Sequence, residues 1–153
     1  MKTFLDFEKE VLSGNLRNVY FILSYDNYFI TKASELLREK IFGSKESRDN
    51  FFLKYADETP LQELIDLTSN FASLFSSTKI IVLKRAEKYS RKLDELFEFL
   101  EKPAPDSVLM ICFDKEFAAD KKLHKEQEFY DFSSLPEEAI KRWIQKEFTT
   151  YGK

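Results

Sequence analysis

The sequence predicts an α/β fold: a three-layer domain whose five-stranded parallel sheet lies between two layers of helices. Short β-prone apolar runs alternate with segments of helical period along the chain. Val19–Leu23 and Ile80–Leu83 are apolar without interruption, as in strands covered on both faces. Strands separated by helices pair in parallel through crossovers that put helices on both sides of the sheet. At 153 residues the chain has the length of one domain with a short extension. A composition shift near Ser133 divides it into residues 1–133, the α/β domain, and residues 134–153, the start of a helical second domain.

The elements follow in order. Phe4, Phe7, Val11 and Leu12 share a stripe over residues 3–13, and Gly14 suits a helix C-terminus. Val19–Leu23 is the first strand. Asp26 or Asn27 can cap a helix that turns Phe29, Ala33, Leu36, Leu37 and Ile41 inward and ends at Gly43. Phe51–Tyr55 is the second strand. Thr59, Pro60 and Gln62 then supply an N-cap, a first-turn proline and a capping-box glutamine, ahead of an inner stripe of Leu61, Leu64, Ile65, Thr68 and Phe71. Ile80–Leu83 is the third strand. Ser90 can cap a helix with Leu93, Leu96, Phe97 and Leu100 inward, stopped by Pro103 and Pro105. Val108–Phe113 is the fourth strand. Phe129–Phe132 is the fifth, after a charged stretch from Asp114 to Glu128. Ser134 to Glu137 is a capping-box pattern opening a last helix with Ile140, Trp143, Ile144 and Phe148 on one stripe.

Composition narrows the function classes. Apolar residues make up 43% of the chain, enough for a core, and the aromatics are weighted to 16 Phe against 1 Trp. A net charge of -3 with interleaved signs lacks the basic excess of a dedicated nucleic-acid-binding domain. The single cysteine, Cys112, admits no internal disulfide and reads as a small buried hydrophobe in an apolar strand; a reducing, cytoplasmic compartment fits it. Met1–Asp6 holds early charge and no apolar core, so no signal peptide is expected, and no apolar run reaches transmembrane length.

A parallel α/β sheet whose first strand leads into a helix invites a nucleotide-binding reading, and the residues refuse it. A phosphate loop needs glycines, so that backbone N–H groups converge on phosphate oxygens, and a Lys-Ser/Thr pair for charge and magnesium. Here Ser24-Tyr25-Asp26-Asn27-Tyr28 follows the first strand, with neither glycine nor lysine, and the chain has only 3 Gly. The acidic, magnesium-holding end of a neighbouring strand is replaced by Lys84-Arg85. His124, the only histidine, sits among lysines and reads as a solvated surface residue; Cys112–His124 is the only thiol–imidazole combination. No catalytic residue, metal site or cofactor is expected.

Three features can carry function. The adjacent pair Leu74-Phe75, set among Ser73, Ser76, Ser77 and Thr78, either seals the core between a helix and a strand or waits for a pocket on a partner. Lys84, Arg85, Lys88, Arg91 and Lys92, with Tyr89 between them, are candidate DNA-contacting residues or a solvated face. The stripe of Trp143, Ile144 and Phe148 packs on the sheet or on another domain.

Several segments carry a resemblance by their order and spacing: Val19–Ile30, Ser73–Ser76 leading into Lys79–Leu83, Leu96–Leu100 with Pro103 and Pro105–Leu109, Asp120–Leu123, and Leu135–Glu138 with Lys141–Ile144. They resemble the N-terminal region of the bacterial DNA polymerase III clamp-loader delta subunit, over essentially the whole chain. The resemblance implies an AAA+-like (P-loop NTPase-like) fold with a degenerate ATP site, no intrinsic enzyme activity and no cofactor. It further implies a cytoplasmic accessory subunit of a DNA-directed DNA polymerase holoenzyme, a nucleotidyltransferase acting in DNA replication. The family's helix-end Leu-Phe pair inserts into the hydrophobic pocket of the sliding clamp, the beta subunit, and helps open the ring. Motif matching puts that role on Leu74 and Phe75, with Ser73 and Ala72 beside them; Phe71, one helical turn earlier, belongs to the docking surface or to the core beneath it. The other implied partners are the gamma/tau and delta prime subunits and, through the complex, DNA; no membrane is involved. Ser24 stands where the family often has glycine. The family's small helical domain and collar are expected to lie outside this chain. The rival reading is a divergent nucleotide-binding α/β domain with ATPase activity.

Overall fold

Successive residues of a strand point to opposite faces of a sheet, and here both sets are apolar. Tyr20 and Ile22, Ile80 and Val82, and Val108, Met110 and Cys112 face one side; Phe21 and Leu23, Ile81 and Leu83, and Leu109, Ile111 and Phe113 face the other. This is why the central strands read as unbroken apolar runs. The computed structural model describes residues 2–24, 27–43, 50–69, 78–114, 128–133 and 144–146. Its elements are β1 (Lys2–Thr3), α1 (Phe4–Leu12), β2 (Val19–Ser24), α2 (Tyr28–Phe42), β3 (Phe51–Tyr55), α3 (Leu61–Ser69) and β4 (Lys79–Lys84). A 3-10 helix (Ala86–Lys92), α4 (Leu93–Leu100), β5 (Ser107–Asp114) and β6 (Phe129–Asp131) follow. The strands are all parallel, in the order β1-β6-β2-β5-β4-β3. Side chains of α1 and α2 cover one face; those of α3, the 3-10 helix and α4 cover the other.

Among the described residues the sheet has six strands, where the sequence predicts five. The additional strand is β1, whose Lys2 and Thr3 align with Tyr130 and Asp131 at the sheet edge. Two residues are too short for a period to register. Thr3 also caps α1: its Oγ1 accepts from the Asp6 N–H at 3.5 Å, and Asp6 Oδ2 accepts from the Thr3 N–H at 2.8 Å.

Three of the expected caps are built differently. Asn27 does occupy the N-cap of α2, but its side chain makes no capping bond. The amide of Gln62 donates to Asp66, 2.9 Å away and one turn on. Ser90 caps nothing: it kinks the 3-10 helix with φ 49° and ψ -105°, and α4 starts after Lys92. Gly43 ends α2 as expected, in the left-handed conformation that glycine adopts without strain.

The phenylalanine-rich composition is spent in the core. Phe7 meets Tyr20 and Phe132 edge-on, with centroids 5.1 and 5.5 Å away, and Phe4 meets Phe132 at 5.3 Å. These are the separations at which edge-to-face ring pairs are favourable. At the β1 edge, Glu10 accepts hydrogen bonds from Lys2 and, at 2.8 Å, from the Tyr130 hydroxyl; Arg17 donates to Glu128 at 2.9 Å. Residues 115–127 of the charged stretch, His124 among them, lie outside the described residues, as do Ile140, Trp143 and Phe148 of the expected last helix. Residues 144–146 are helical, and Lys146 approaches Glu8 at 3.7 Å. Among the described residues no helix is long and apolar enough to cross a membrane.

Candidate functional site

A parallel sheet starts all its strands at one edge and ends them at the other. The first candidate site and the flanks of the second therefore separate. The end of β2, the start of α2 and the end of β4 meet at the carboxyl edge, whereas the connection from α3 to β4 begins and ends at the amino edge.

The carboxyl edge is occupied by the chain's own cations. Lys84 Nζ donates to Asn27 Oδ1 at 3.1 Å and lies 5.8 Å from the centre of the Tyr55 ring. The Arg85 guanidinium lies 5.6 Å from the same ring and donates to Asp57 Oδ2 at 3.1 Å. Arg85 itself has φ 58°, a left-handed turn that swings the chain from β4 into the 3-10 helix. Glu87 accepts from the Asp114 N–H at 2.8 Å, tying the 3-10 helix to the end of β5; burial raises its pKa above the usual carboxylate range. Magnesium-phosphate chemistry needs acidic ligands where β4 ends, and Lys84 supplies an ammonium instead. Among the described residues, no group of three or more His, Cys, Asp or Glu is placed to hold a metal. Cys112 is buried on the α1–α2 face, and burial pushes its thiol up to about 12, which disfavours the thiolate that a nucleophile or metal ligand needs.

The five candidate DNA-contacting residues do not form one strip. Lys84 and Arg85 are engaged at the sheet end. Lys88, Arg91 and Lys92 are exposed along a groove of about 500 Å³, whose other wall carries Asp57 and Glu58 on the β3–α3 turn. Tyr89, the aromatic that a nucleic-acid reading would stack on a base, is turned inward, and its hydroxyl donates to the Thr59 carbonyl at 2.9 Å.

Phe71, Ala72, Ser73, Leu74 and Phe75 lie outside the described residues, but both flanks of that segment are described, at the amino edge. Lys79 Nζ donates to the Leu67 carbonyl at 2.9 Å, Ser107 Oγ reaches the Thr68 carbonyl at 3.5 Å, and the Lys79 N–H donates to the Asp106 carbonyl at 2.9 Å. Thr68 and Ser69 hydroxyls both return to the Ile65 carbonyl, at 2.8 and 2.9 Å. Lys79 is only 2% exposed, and burial lowers its pKa. The last turn of α3 is thereby fastened to the first residues of β4 and β5.

Over residues 20–131 the chain matches the family described as DNA polymerase III, delta subunit. The chain belongs to this DNA polymerase III delta subunit family. A search of curated proteins gave no match. Among solved structures, the Bacillus subtilis DNA clamp loader delta protein (YqeN) is similar at 16% identity with a TM-score of 0.73, over 99% of this chain and 48% of that one. A DNA polymerase III gamma subunit-related protein from Thermotoga maritima is similar at 12% identity with a TM-score of 0.60, over 90% of this chain and 47% of that one. At these identities the likeness is one of fold. The chain spans about half the length of each structure.

Within this delta-family domain, sequence reasoning missed Lys79. A lysine opening a strand ordinarily reaches solvent along its aliphatic stem, and nothing in its neighbours signals burial. It also missed Asn18, whose side-chain amide donates to the Ser107 carbonyl at 2.9 Å and so secures the start of β5.

Proposed function

We propose that this chain is the clamp-binding part of a clamp-loader delta subunit, and that it acts by protein–protein contact rather than catalysis. Leu74 and Phe75, with Ala72, Ser73 and Phe71 beside them, dock in an apolar pocket of the sliding clamp, and binding biases the ring towards an open state. The other loader subunits, gamma/tau and delta prime, are its companions; ATP bound elsewhere in the complex governs when the pair is presented. DNA is met through the assembly. Residues 134–153 open the next domain, and the setting is the cytoplasm.

The family match carries this reading. The geometry supports it in two ways. The carboxyl edge holds Lys84 and Arg85 where phosphate chemistry needs carboxylates. The segment with the Leu-Phe pair joins two firmly held ends at the opposite edge.

Immobilised clamp tests it. The double variant Leu74→Ala/Phe75→Ala loses about 2–4 kcal/mol of binding, as removal of an apolar hot spot does, with an unchanged circular dichroism spectrum. Parent-like affinity in the double variant rejects the site; loss of the fold assigns the pair to the core.

A further inference from the structure

The groove of about 500 Å³ at the carboxyl edge has walls of opposite charge: Lys88, Arg91 and Lys92 on one, Asp57 and Glu58 on the other. Residues three apart share a face of a 3-10 helix, which aligns Lys88 with Arg91. Lys92 joins them beyond the kink at Ser90. All three cations are exposed, and among the described residues none of their side chains makes an ion pair. Asp94 and Glu95, in the first turn of α4, do not line the groove. On the other wall Arg85 already holds the Asp57 carboxylate at 3.1 Å, whereas Glu58 is exposed. Buried Tyr89, Thr59 and Leu61 lie beneath. The walls are fastened to each other. The Tyr89 hydroxyl donates to the Thr59 carbonyl and the Ala56 N–H to the Lys84 carbonyl, both at 2.9 Å.

We propose that this groove binds an extended segment of a partner protein whose alternate side chains are acidic, with basic side chains between them. Successive side chains of an extended chain point in opposite directions. Such a segment turns its carboxylates to Lys88, Arg91 and Lys92 and its cations to Glu58, so that both walls are matched. A nucleic acid fits less well. Its charge lies on the backbone and cannot be turned away from Glu58, and Tyr89 is turned inward, where its ring stacks on no base. The surface lies at the edge opposite the flanks of the Leu-Phe segment and stands independently of the clamp-docking reading.

The test is a titration of the full chain, followed by amide chemical shifts in heteronuclear NMR, with thermal melts of every variant. The probe is a short capped peptide of alternating glutamate and lysine. Its control has the same composition in two blocks, glutamates first. The alternating peptide is expected to give saturable shifts at Ala56–Leu61 and Lys88–Lys92, to bind more tightly than the block peptide, and to weaken as salt is added. Lys88→Gln/Arg91→Gln/Lys92→Gln is expected to weaken it about tenfold, the sum of three exposed ion pairs. Arg91→Gln alone, expected at about twofold, stands in should the triple variant not fold. Glu58→Gln is expected to narrow the preference for the alternating peptide.

Equal binding of the two peptides, or no saturable shift with either, overturns the inference. Parent-like binding by the triple variant, or by Arg91→Gln where that stands in, overturns it too, as does a preference that Glu58→Gln leaves unchanged. A short DNA duplex that shifts the same amides at lower concentration than the alternating peptide gives the groove to nucleic acid instead.

Discussion

Lys84 Nζ and Asn27 Oδ1 lie 3.1 Å apart, a hydrogen bond that crosses from the end of β4 to the start of α2. It uses the side chain that would otherwise cap α2 and puts a positive charge beside that helix's N-terminus, where the dipole favours an anion. Tyr55 compensates by presenting its ring to both Lys84 and Arg85.

Titration of the chain with ATP and magnesium is therefore expected to give no saturable heat. Lys84→Asp does not restore binding, because the connection from Ser24 to Asn27 still has no glycine to let backbone N–H groups converge on phosphate. A saturable heat from the parent would return the ATPase alternative.

The groove residues test which edge of the sheet docks. Lys88→Glu/Arg91→Glu/Lys92→Glu alters the carboxyl edge, far from the ends of the α3–β4 connection. Clamp affinity should stay within about twofold of the parent, as for sites without shared partners. A loss as large as that of the Leu74/Phe75 double variant would place docking on the wrong edge. The same variant examines DNA contact: a loss of duplex binding, with a salt slope shallower by about 3, would assign these three side chains to phosphates.

Glu10 accepts from the buried Tyr130 hydroxyl and from Lys2. Glu10→Ala leaves that hydroxyl without its acceptor and is expected to cost about 1–2 kcal/mol, a fall in Tm of roughly 3–6 °C. Glu10→Gln keeps an acceptor and should lose less. Equal melting of all three proteins would show that the edge network contributes nothing.

The Cys112 thiol gives an alkaline prediction. Burial raises its pKa from 9.0 to about 12. The folded chain keeps a proton that the unfolded chain has released. The stability this group supplies is thus whole below pH 9 and lost between pH 9 and about 12, at a slope of about 1.4 kcal/mol per pH unit. Urea midpoints between pH 8 and 10.5 should fall, and fall less steeply in Cys112→Ala. In the native protein the thiol should resist dithionitrobenzoate until the chain unfolds; rapid labelling would contradict its burial.

The central strands and the helices around them were legible because each announces itself by pattern. β2, β4 and β5 centre on unbroken apolar runs, and α2 and α4 keep their inner stripes; α1 keeps Phe4, Phe7 and Val11 inward but exposes Leu12 at its end, and α3 keeps Leu61, Leu64, Ile65 and Thr68, with Phe71 outside the described residues. The helix boundaries were less so. Asn27, Gln62 and Ser90 are residue types that favour caps, but each had another option nearby: Lys84 for Asn27, Asp66 for Gln62, and a kinked 3-10 turn for Ser90. β1 was invisible because backbone pairing with β6 makes it, not side-chain period. At the candidate sites, the charge reversal at Lys84-Arg85 could be read directly. The inward turn of Tyr89 could not: its hydroxyl finds Thr59, 30 residues away, and only the folded chain brings them together.

The separation of the two sheet edges has an engineering consequence. The buried centres of β2, β4 and β5 form the frame, and Ser24, Asn27, Lys84 and Arg85 are fittings at one end of it. Such fittings can be exchanged, a glycine-rich loop grafted or a carboxylate installed, while the far end keeps its shape. The carboxyl edge is then a blank socket on a buried frame, able to accept a different tool.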